Sequence, residues 1–161
     1  MKIDHIDREI LRELQKDSSQ PISEIADRIG LSMNACWRRI KQLQKQNIIR
    51  KQVTLLDHKA LGLGLTVFVQ VRTNQHNEEW FDRFAKAIHQ IEEVIEFHRV
   101  SGDYDYLMKI VVADIADYDR VYKRIIKSTP LQDVTSYFSM EKIKETTEIP
   151  VTARAGAGTG D

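Results

Sequence analysis

"LSMNACWRRIKQLQKQNIIRK", residues 31–51, carries six Lys or Arg side chains and no Asp or Glu. The whole chain is neutral, with 24 basic and 24 acidic residues among its 161. From Arg28 to Leu56 there are seven basic residues (Arg28, Arg38, Arg39, Lys41, Lys45, Arg50, Lys51) and no acidic one, so 17 basic residues face 24 acidic ones elsewhere. One segment is built to meet a polyanion and the rest is not. On a helix at ~100° per residue, Cys36, Ile40 and Leu43 share a narrow sector. Asn34, Arg38, Lys41 and Lys45 lie nearly opposite, with Trp37 at their edge. A merely solvated face normally interleaves Glu with Lys for i,i+4 support. This one has no Glu.

Working outward, Ile6, Ile10, Leu11 and Leu14 recur at helical spacing, with Asp4 placed to cap. "KDSSQP" (16–21) breaks that helix. Ile22, Ile25, Ala26 and Ile29 form a second short stripe that stops at Gly30, and Ser32 caps the third helix. Asn47 stands where that helix ends, because Asn tolerates the left-handed conformation. Helix, tight turn, and a second helix with a basic outer face is a helix-turn-helix pattern, whose second helix enters the major groove of double-stranded DNA. "IIRKQVTLL" (48–56) is β-prone and is expected to form a wing or a linking strand, completing a winged helix-turn-helix domain over 1–54. "DHKALGLG" (57–64) reads as a hinge, within a linker at 55–63.

Element types then alternate. "LTVFVQVRT" (65–73) sets Leu65, Val67, Val69 and Val71 on one strand face, expected to leave apolar surface for a partner copy. Asn77 caps a helix with Phe81, Phe84, Ala85, Ile88 and Ile91 on one side. "VIEFHRV" (94–100) and "YLMKIVVA" (106–113) are strands around the turn "GDYD" (102–105). Asp114 or Asp117 opens a helix lined by Tyr118, Val121, Tyr122 and Ile125. "DVTSYFSMEKI" (133–143) is the last strand. The order βαββαβ is the ferredoxin-like pattern. The fold class expected is therefore α+β, with this second domain at 64–146 and a flexible tail at 147–161 that holds three of the seven glycines.

Two stretches together resemble a known family. "IDREILRELQKDSSQPISEIADRIGLSMNACWRRIKQLQKQNIIRKQVTLLD" is similar to the DNA-binding half of the Lrp/AsnC (feast/famine) regulators. "GDYDYLMKIVVADIADYDRVYKRI" followed by "DVTSYFSMEKIK" is similar to their ligand-sensing RAM domain. The resemblance implies a transcription regulator that forms homodimers and often homo-octamers and answers to a free amino acid. Asn47, often Gly in the family, and "PLQDV" before the last strand depart from the pattern. "CWRR" and "TTEIP" look nearest the cysteine-responsive branch.

Candidate DNA contacts are Asn34, Trp37, Arg38 and Lys41, since Asn pairs bidentately with adenine and Arg with guanine. Ser32 begins their helix. Lys45, Arg50 and Lys51 are placed for phosphates. Arg39 lies nearer the buried face, where it either clamps a phosphate or pairs with an acid of the first helix. Cys36 is either a redox switch or a small core residue. "SGDYDY" (101–106) is on its own a hairpin turn, Gly- and Asp-rich for backbone reasons. The resemblance makes it the effector site. Ser101, Gly102, Asp103, Tyr104 and Asp105 would hold the zwitterion, while Ser136, Tyr137, Ser139 and Met140 would come from a neighbouring subunit. Tyr104 and Met140 would then offer a soft wall suited to a sulfur-containing or branched apolar side chain.

Enzyme chemistry finds no support. The five histidines lack metal-ligand spacing, the single Cys cannot complete a CxxC, and no Gly-rich phosphate loop precedes a helix. No catalytic residue, metal or cofactor is expected. No apolar run approaches the ~20 residues of a membrane span, and a lone cysteine fits a cytoplasmic protein. The competing class is an effector-independent, nucleoid-type architectural DNA-binding protein.

Overall fold

The computed structural model describes residues 3–152. Within it Leu55–Ile143 forms one unit, and the residues before it join the segment from Lys144 onward in the other.

The first unit holds α1 (His5–Lys16), α2 (Ile22–Arg28) and α3 (Met33–Lys45). A reciprocal capping box opens α1: the Asp7 amide donates to Asp4 Oδ1 at 2.8 Å, and the Asp4 amide donates to Asp7 Oδ2 at 3.1 Å. This satisfies two groups that a helix start leaves without partners. Ile10, Leu11, Ile25, Ala26, Cys36, Ile40 and Leu43 form the core. Gly30 ends α2 at φ 70, and the Leu31 amide bonds back to the Ala26 carbonyl at 2.9 Å. Asn47 takes φ 56 after α3, with the Ile48 amide on the Leu43 carbonyl at 3.0 Å. Both left-handed residues end their helices by closing the last turn.

Arg39 leaves α3 toward α1 and bonds Asp4 Oδ2 at 2.7 Å and Asp7 Oδ1 at 2.8 Å. Asp7 is only 1% exposed. A carboxylate so placed persists because the guanidinium and a backbone amide satisfy it. The Asp4 carboxyl is held below its ordinary range, chiefly by the Asp7 amide and then by Arg39.

The wing does not form. Residues 50–57 belong to no strand, and Val53, Leu55 and Leu56 are exposed. No described strand lies beside this stretch to take its backbone hydrogen bonds, so β-propensity alone leaves it unpaired.

The second unit runs β1 (Leu65–Arg72), α4 (Glu78–His89), β2 (Val94–Arg99), β3 (Tyr106–Val112), α5 (Ile115–Ser128) and β4 (Asp133–Phe138). The sheet order is β2-β3-β1-β4, antiparallel throughout. Asn77 and Asp114 cap the helices, accepting from the amides of Trp80 at 2.8 Å and Asp117 at 2.9 Å.

Three expectations change here. Val67, Val69 and Val71 are fully buried under Trp80, Phe84, Ile88, Val121 and Ile125. The uncovered face therefore carries the alternate residues Phe68, Gln70 and Arg72, because strand side chains alternate. The buried stripe of α4 is Trp80, Phe84 and Ile88, one position away from the expected Phe81. The indole of Trp80 fills the core and its Nε1 donates to the Pro130 carbonyl at 3.1 Å. Finally, β4 stops at Phe138. The Ser139 amide makes one more bond, to Thr66 at 2.9 Å, and β1, which begins at Leu65, has no residue opposite 141–143.

The stretch expected as a flexible tail over 147–161 is partly docked. The Ile149 amide donates to Gln15 Oε1 at 2.8 Å, and Gln15 Nε2 donates back to the Ile149 carbonyl at 3.2 Å. Arg12 bonds the Val151 carbonyl at 3.1 Å, and Val151 packs on the first core. Residues 153–161 of that stretch lie outside the described residues.

Replacing Asp7 with Ala removes half of the capping box and a buried partner of Arg39, which keeps Asp4. We expect a loss of about 2–3 kcal/mol, read as a lower urea midpoint. The depressed Asp4 pKa contributes stability above its unfolded value of about 3.9, lost as the pH falls through the folded value. Asp4→Asn should therefore flatten the fall in midpoint between neutral pH and pH ~3.

Candidate nucleic-acid interface and effector turn

The buried stripe Cys36, Ile40 and Leu43 fixes the rotation of α3, and Arg39 tied to α1 holds it there. The side turned outward bears Asn34, Trp37, Arg38, Lys41 and Lys45, all exposed. Trp37 is 52% exposed, unusual for an indole in a helix with an apolar core beneath it. Lys41 Nζ sits over its ring, 5.8 Å from the centroid, which steadies both on one surface. Ser32 spends its hydroxyl as the N-cap of α3, accepting from the Ala35 amide at 3.3 Å.

Two of the seven cations are paired with carboxylates of the same unit. Arg28 pairs with Glu13 at 2.7 Å, and Arg39 with Asp4 and Asp7. Arg39 thus departs from the expected DNA contacts, because the buried Asp7 carboxylate is its stronger local partner. Arg38, Lys41, Lys45, Arg50 and Lys51 remain exposed and make no ion pair with a described carboxylate. Cys36 is fully buried, and burial pushes its thiol pKa up, so it is a core residue here.

In the second unit the turn 101–105 is rigidly held. The Val100 amide bonds the Asp105 carbonyl at 2.8 Å, and the Asp105 amide bonds the Val71 carbonyl at 2.9 Å. Asp105 Oδ2 accepts from the Thr73 amide at 2.8 Å, and Oδ1 lies 4.0 Å from His76 Nδ1. Gly102 at φ 142 occupies a backbone region that side chains avoid. Arg72 crosses from β1 to the turn and donates from Nε to the Asp103 carbonyl at 2.7 Å.

A polar cleft of about 410 Å³ opens beside this turn. Asp103 and Tyr104 of the turn line it, and so does Tyr137 of the same protomer, which was expected from a neighbouring subunit. Gln70, Arg72, Asp133 and Thr135 line it as well and were missed. Their signal was period-2 alternation read across two strands: Arg72 faces Asp133 and Gln70 faces Thr135 in the register. Other expected residues lie elsewhere in the protomer. Ser136 is on the helix side of the sheet, hydrogen-bonded to the Tyr118 hydroxyl. Ser139 sits by Thr66, six residues along β1 from Arg72 and so ~20 Å away. Met140 lies beyond β4 and is 96% exposed, so it forms no wall to this cleft. Ser101, Gly102 and Asp105 shape the turn without lining the cleft. Among the described residues, no set of three His, Cys, Asp or Glu side chains could hold a metal.

Comparison with known proteins fits both halves. Residues 3–44 match the AsnC-type helix-turn-helix domain, and residues 66–149 match the Lrp/AsnC ligand binding domain. The chain is 44% identical to the DNA-binding transcriptional activator DecR of Escherichia coli K12, over 92% of this chain and 99% of that one. Its fold is similar to that of an AsnC family transcriptional regulator from Agrobacterium tumefaciens, with a TM-score of 0.89 and 47% identity over 92% of this chain and 97% of that one. It is also similar to a transcriptional regulator from Neisseria meningitidis in complex with L-Met, with a TM-score of 0.89 and 29% identity over 93% and 97% of the two chains.

Two outcomes test the α3 surface. Three exposed cations per protomer placed for phosphates, Lys45, Arg50 and Lys51, imply a log–log salt slope near −2.7, at ~0.9 per phosphate neutralised. Lys45→Ala should shrink that slope by about 0.9 with sequence preference kept. A slope near zero for the unaltered protein would remove the assignment. Arg38→Ala should instead weaken specific binding by about 1–3 kcal/mol more than non-specific binding. Equal losses on specific and random duplexes would make Arg38 a phosphate contact.

Proposed function

This chain belongs to the Lrp/AsnC family of transcriptional regulators, and from that premise we propose how its residues bind DNA and sense an effector. Asn34, Trp37, Arg38 and Lys41 read base edges in the major groove, while Lys45, Arg50 and Lys51 hold phosphates. Ser32 and Arg39 position α3 rather than touch bases. The observation that carries this reading is a helix locked by its buried face and by Arg39, with Asn34, Trp37 and cations that pair with no described carboxylate on the other side.

The second unit senses a free amino acid at the 101–105 turn. The ligand-binding match over 66–149 and the neisserial relative's complex with L-Met support an amino-acid effector. The turn presents the backbone amides of Gly102 and Asp103 to a carboxylate, and the Asp103 carboxylate to an ammonium group. Tyr104 and Tyr137 flank them. Ser139 and Met140 join such a site only from a second copy. Two copies pair through the open face of the sheet, where Phe68 and Tyr137 are exposed, and dimers assemble further into octamers. The protein acts in the cytoplasm as a regulator and not as an enzyme. Among the described residues, no helix is long and apolar enough to cross a membrane.

The test is DNA affinity and melting temperature of the full chain against each of the twenty amino acids. One of them should both change the affinity and stabilise the protein, by about 2.7 kcal/mol at a hundredfold excess over its dissociation constant. DNA affinity and melting temperature that no amino acid alters would leave an architectural DNA-binding protein instead.

A further inference from the structure

The cleft beside the turn has a chemistry of its own, set by residues outside the turn. Arg72 ends β1 on the open face of the sheet, and its cross-strand partner there is Asp133 at the start of β4. The Arg72 guanidinium uses Nε and Nη2 on the Asp103 carbonyl. That leaves Nη1 directed to no acceptor among the described residues. Asp133 Oδ2 accepts only from the Thr135 hydroxyl, at 3.1 Å. A cation-bearing and a carboxylate-bearing residue therefore stand opposite each other on strands ~5 Å apart, beside an open cleft within the volume range of small-ligand pockets.

We propose that this cleft binds a free amino acid through Arg72 and Asp133, and that it selects a short, uncharged polar side chain. The proposal rests on the amino-acid-sensing reading above and narrows it. Arg72 adds charge-assisted hydrogen bonds to the carboxylate beside the turn amides, and Asp133 joins Asp103 at the ammonium group. All three side chains line the one cleft, so a single ligand can meet them together. The ligand side chain then meets Gln70, Thr135 and Tyr137, an amide and two hydroxyls, and no aliphatic wall. A branched apolar side chain would strip water from these groups without replacing their hydrogen bonds, which is unfavourable. An acidic side chain would add a carboxylate to a cleft that already holds two, Asp103 and Asp133, against one cation. Selection by chemistry of this kind is sharp, since a site built to hydrogen-bond rejects ligands that cannot.

The experiment uses the full chain and calorimetric titration with serine, threonine, asparagine, glutamine, leucine, methionine and glutamate. The uncharged polar four should include the tightest binder. Arg72→Lys and Asp133→Asn should each weaken that binder about 10- to 100-fold, the loss of a hydrogen bond to a charged group. Thr135→Val should weaken it several-fold and narrow its margin over leucine. Arg72 also steadies the turn, whereas Asp133 does not touch it, so Asp133→Asn separates ligand contact from loop support. Unchanged melting temperature without ligand for Asp133→Asn and Thr135→Val, and a cooperative melt for Arg72→Lys, will show that the variants are folded. Unaltered ligand affinity in Asp133→Asn overturns the site while leaving amino-acid sensing intact. Leucine, methionine or glutamate as the tightest binder overturns the selectivity. Absence of binding by all seven overturns this proposal; the twenty-member screen separately decides whether sensing itself fails.

Discussion

The buried carboxylate of Asp7 is the constraint on which the DNA-binding unit depends. A charge removed from water must be met from several sides, and here the Asp4 amide and the Arg39 guanidinium meet it. The same arrangement caps α1 and ties α1 to α3. It also withdraws one arginine from the outer face, so the cations left there are those that no internal carboxylate claims. Apolar packing of Cys36, Ile40 and Leu43 alone would set the rotation of α3 only within the breadth of a stripe. A hydrogen-bonded ion pair with Asp7 is directional, and it turns a broad preference into one setting.

A parallel logic runs through the sheet. Its β1 strand alternates Val67, Val69 and Val71 with Phe68, Gln70 and Arg72, so one face has to be dry and the other wet. Two helices cover the first face. The second is left with a mixed surface, apolar at Phe68 and Tyr137 and polar toward Arg72 and Asp133. Parity alone thus divides the residues of a single strand between the core and the open face. Register decides the rest, because Arg72 meets Asp133 only in the pairing that sets Val71 beside Val134.

Local signals in the sequence were sufficient wherever one element's own pattern determined the outcome. The caps at Asp4, Ser32, Asn77 and Asp114, the left-handed stop at Asn47 and the cation-bearing face of α3 all follow from residues within a turn or two of each other. What could not be read depends on partners distant in sequence. Arg39 could equally have faced phosphate until α1 brought Asp7 against it. On α4 and just past its end the expected Phe84, Ile88 and Ile91 do go inward, but Trp80 takes the place expected for Phe81; both are large and aromatic, and the indole also finds the Pro130 carbonyl for its Nε1. The expected reach of β4 to Ile143 failed in part because β1 begins at Leu65 and has no residue opposite 141–143. The cleft itself was half-legible: its turn carries a conspicuous Gly-Asp run, while Arg72 and Asp133 look unremarkable until they are paired.

The chain passes between the two units twice, once at Thr54–Leu55 and again at Ile143–Lys144. The second passage is the informative one. It leaves directly from β4, the strand that supplies Asp133, Thr135 and Tyr137 to the cleft, and it ends docked on α1. There the side-chain amide of Gln15 pairs with both backbone groups of Ile149, as a neighbouring strand would. Such a pair satisfies a segment that has no sheet to join, and Arg12 holds the next carbonyl but one. α1 is also the helix that holds Arg39 in place. A covalent path therefore leads from the ligand-facing strand to the helix that sets the rotation of α3, and it ends in ordinary hydrogen bonds. Bonds of that kind contribute about 1 kcal/mol each, comparable to the 1–3 kcal/mol typical of coupling between sites.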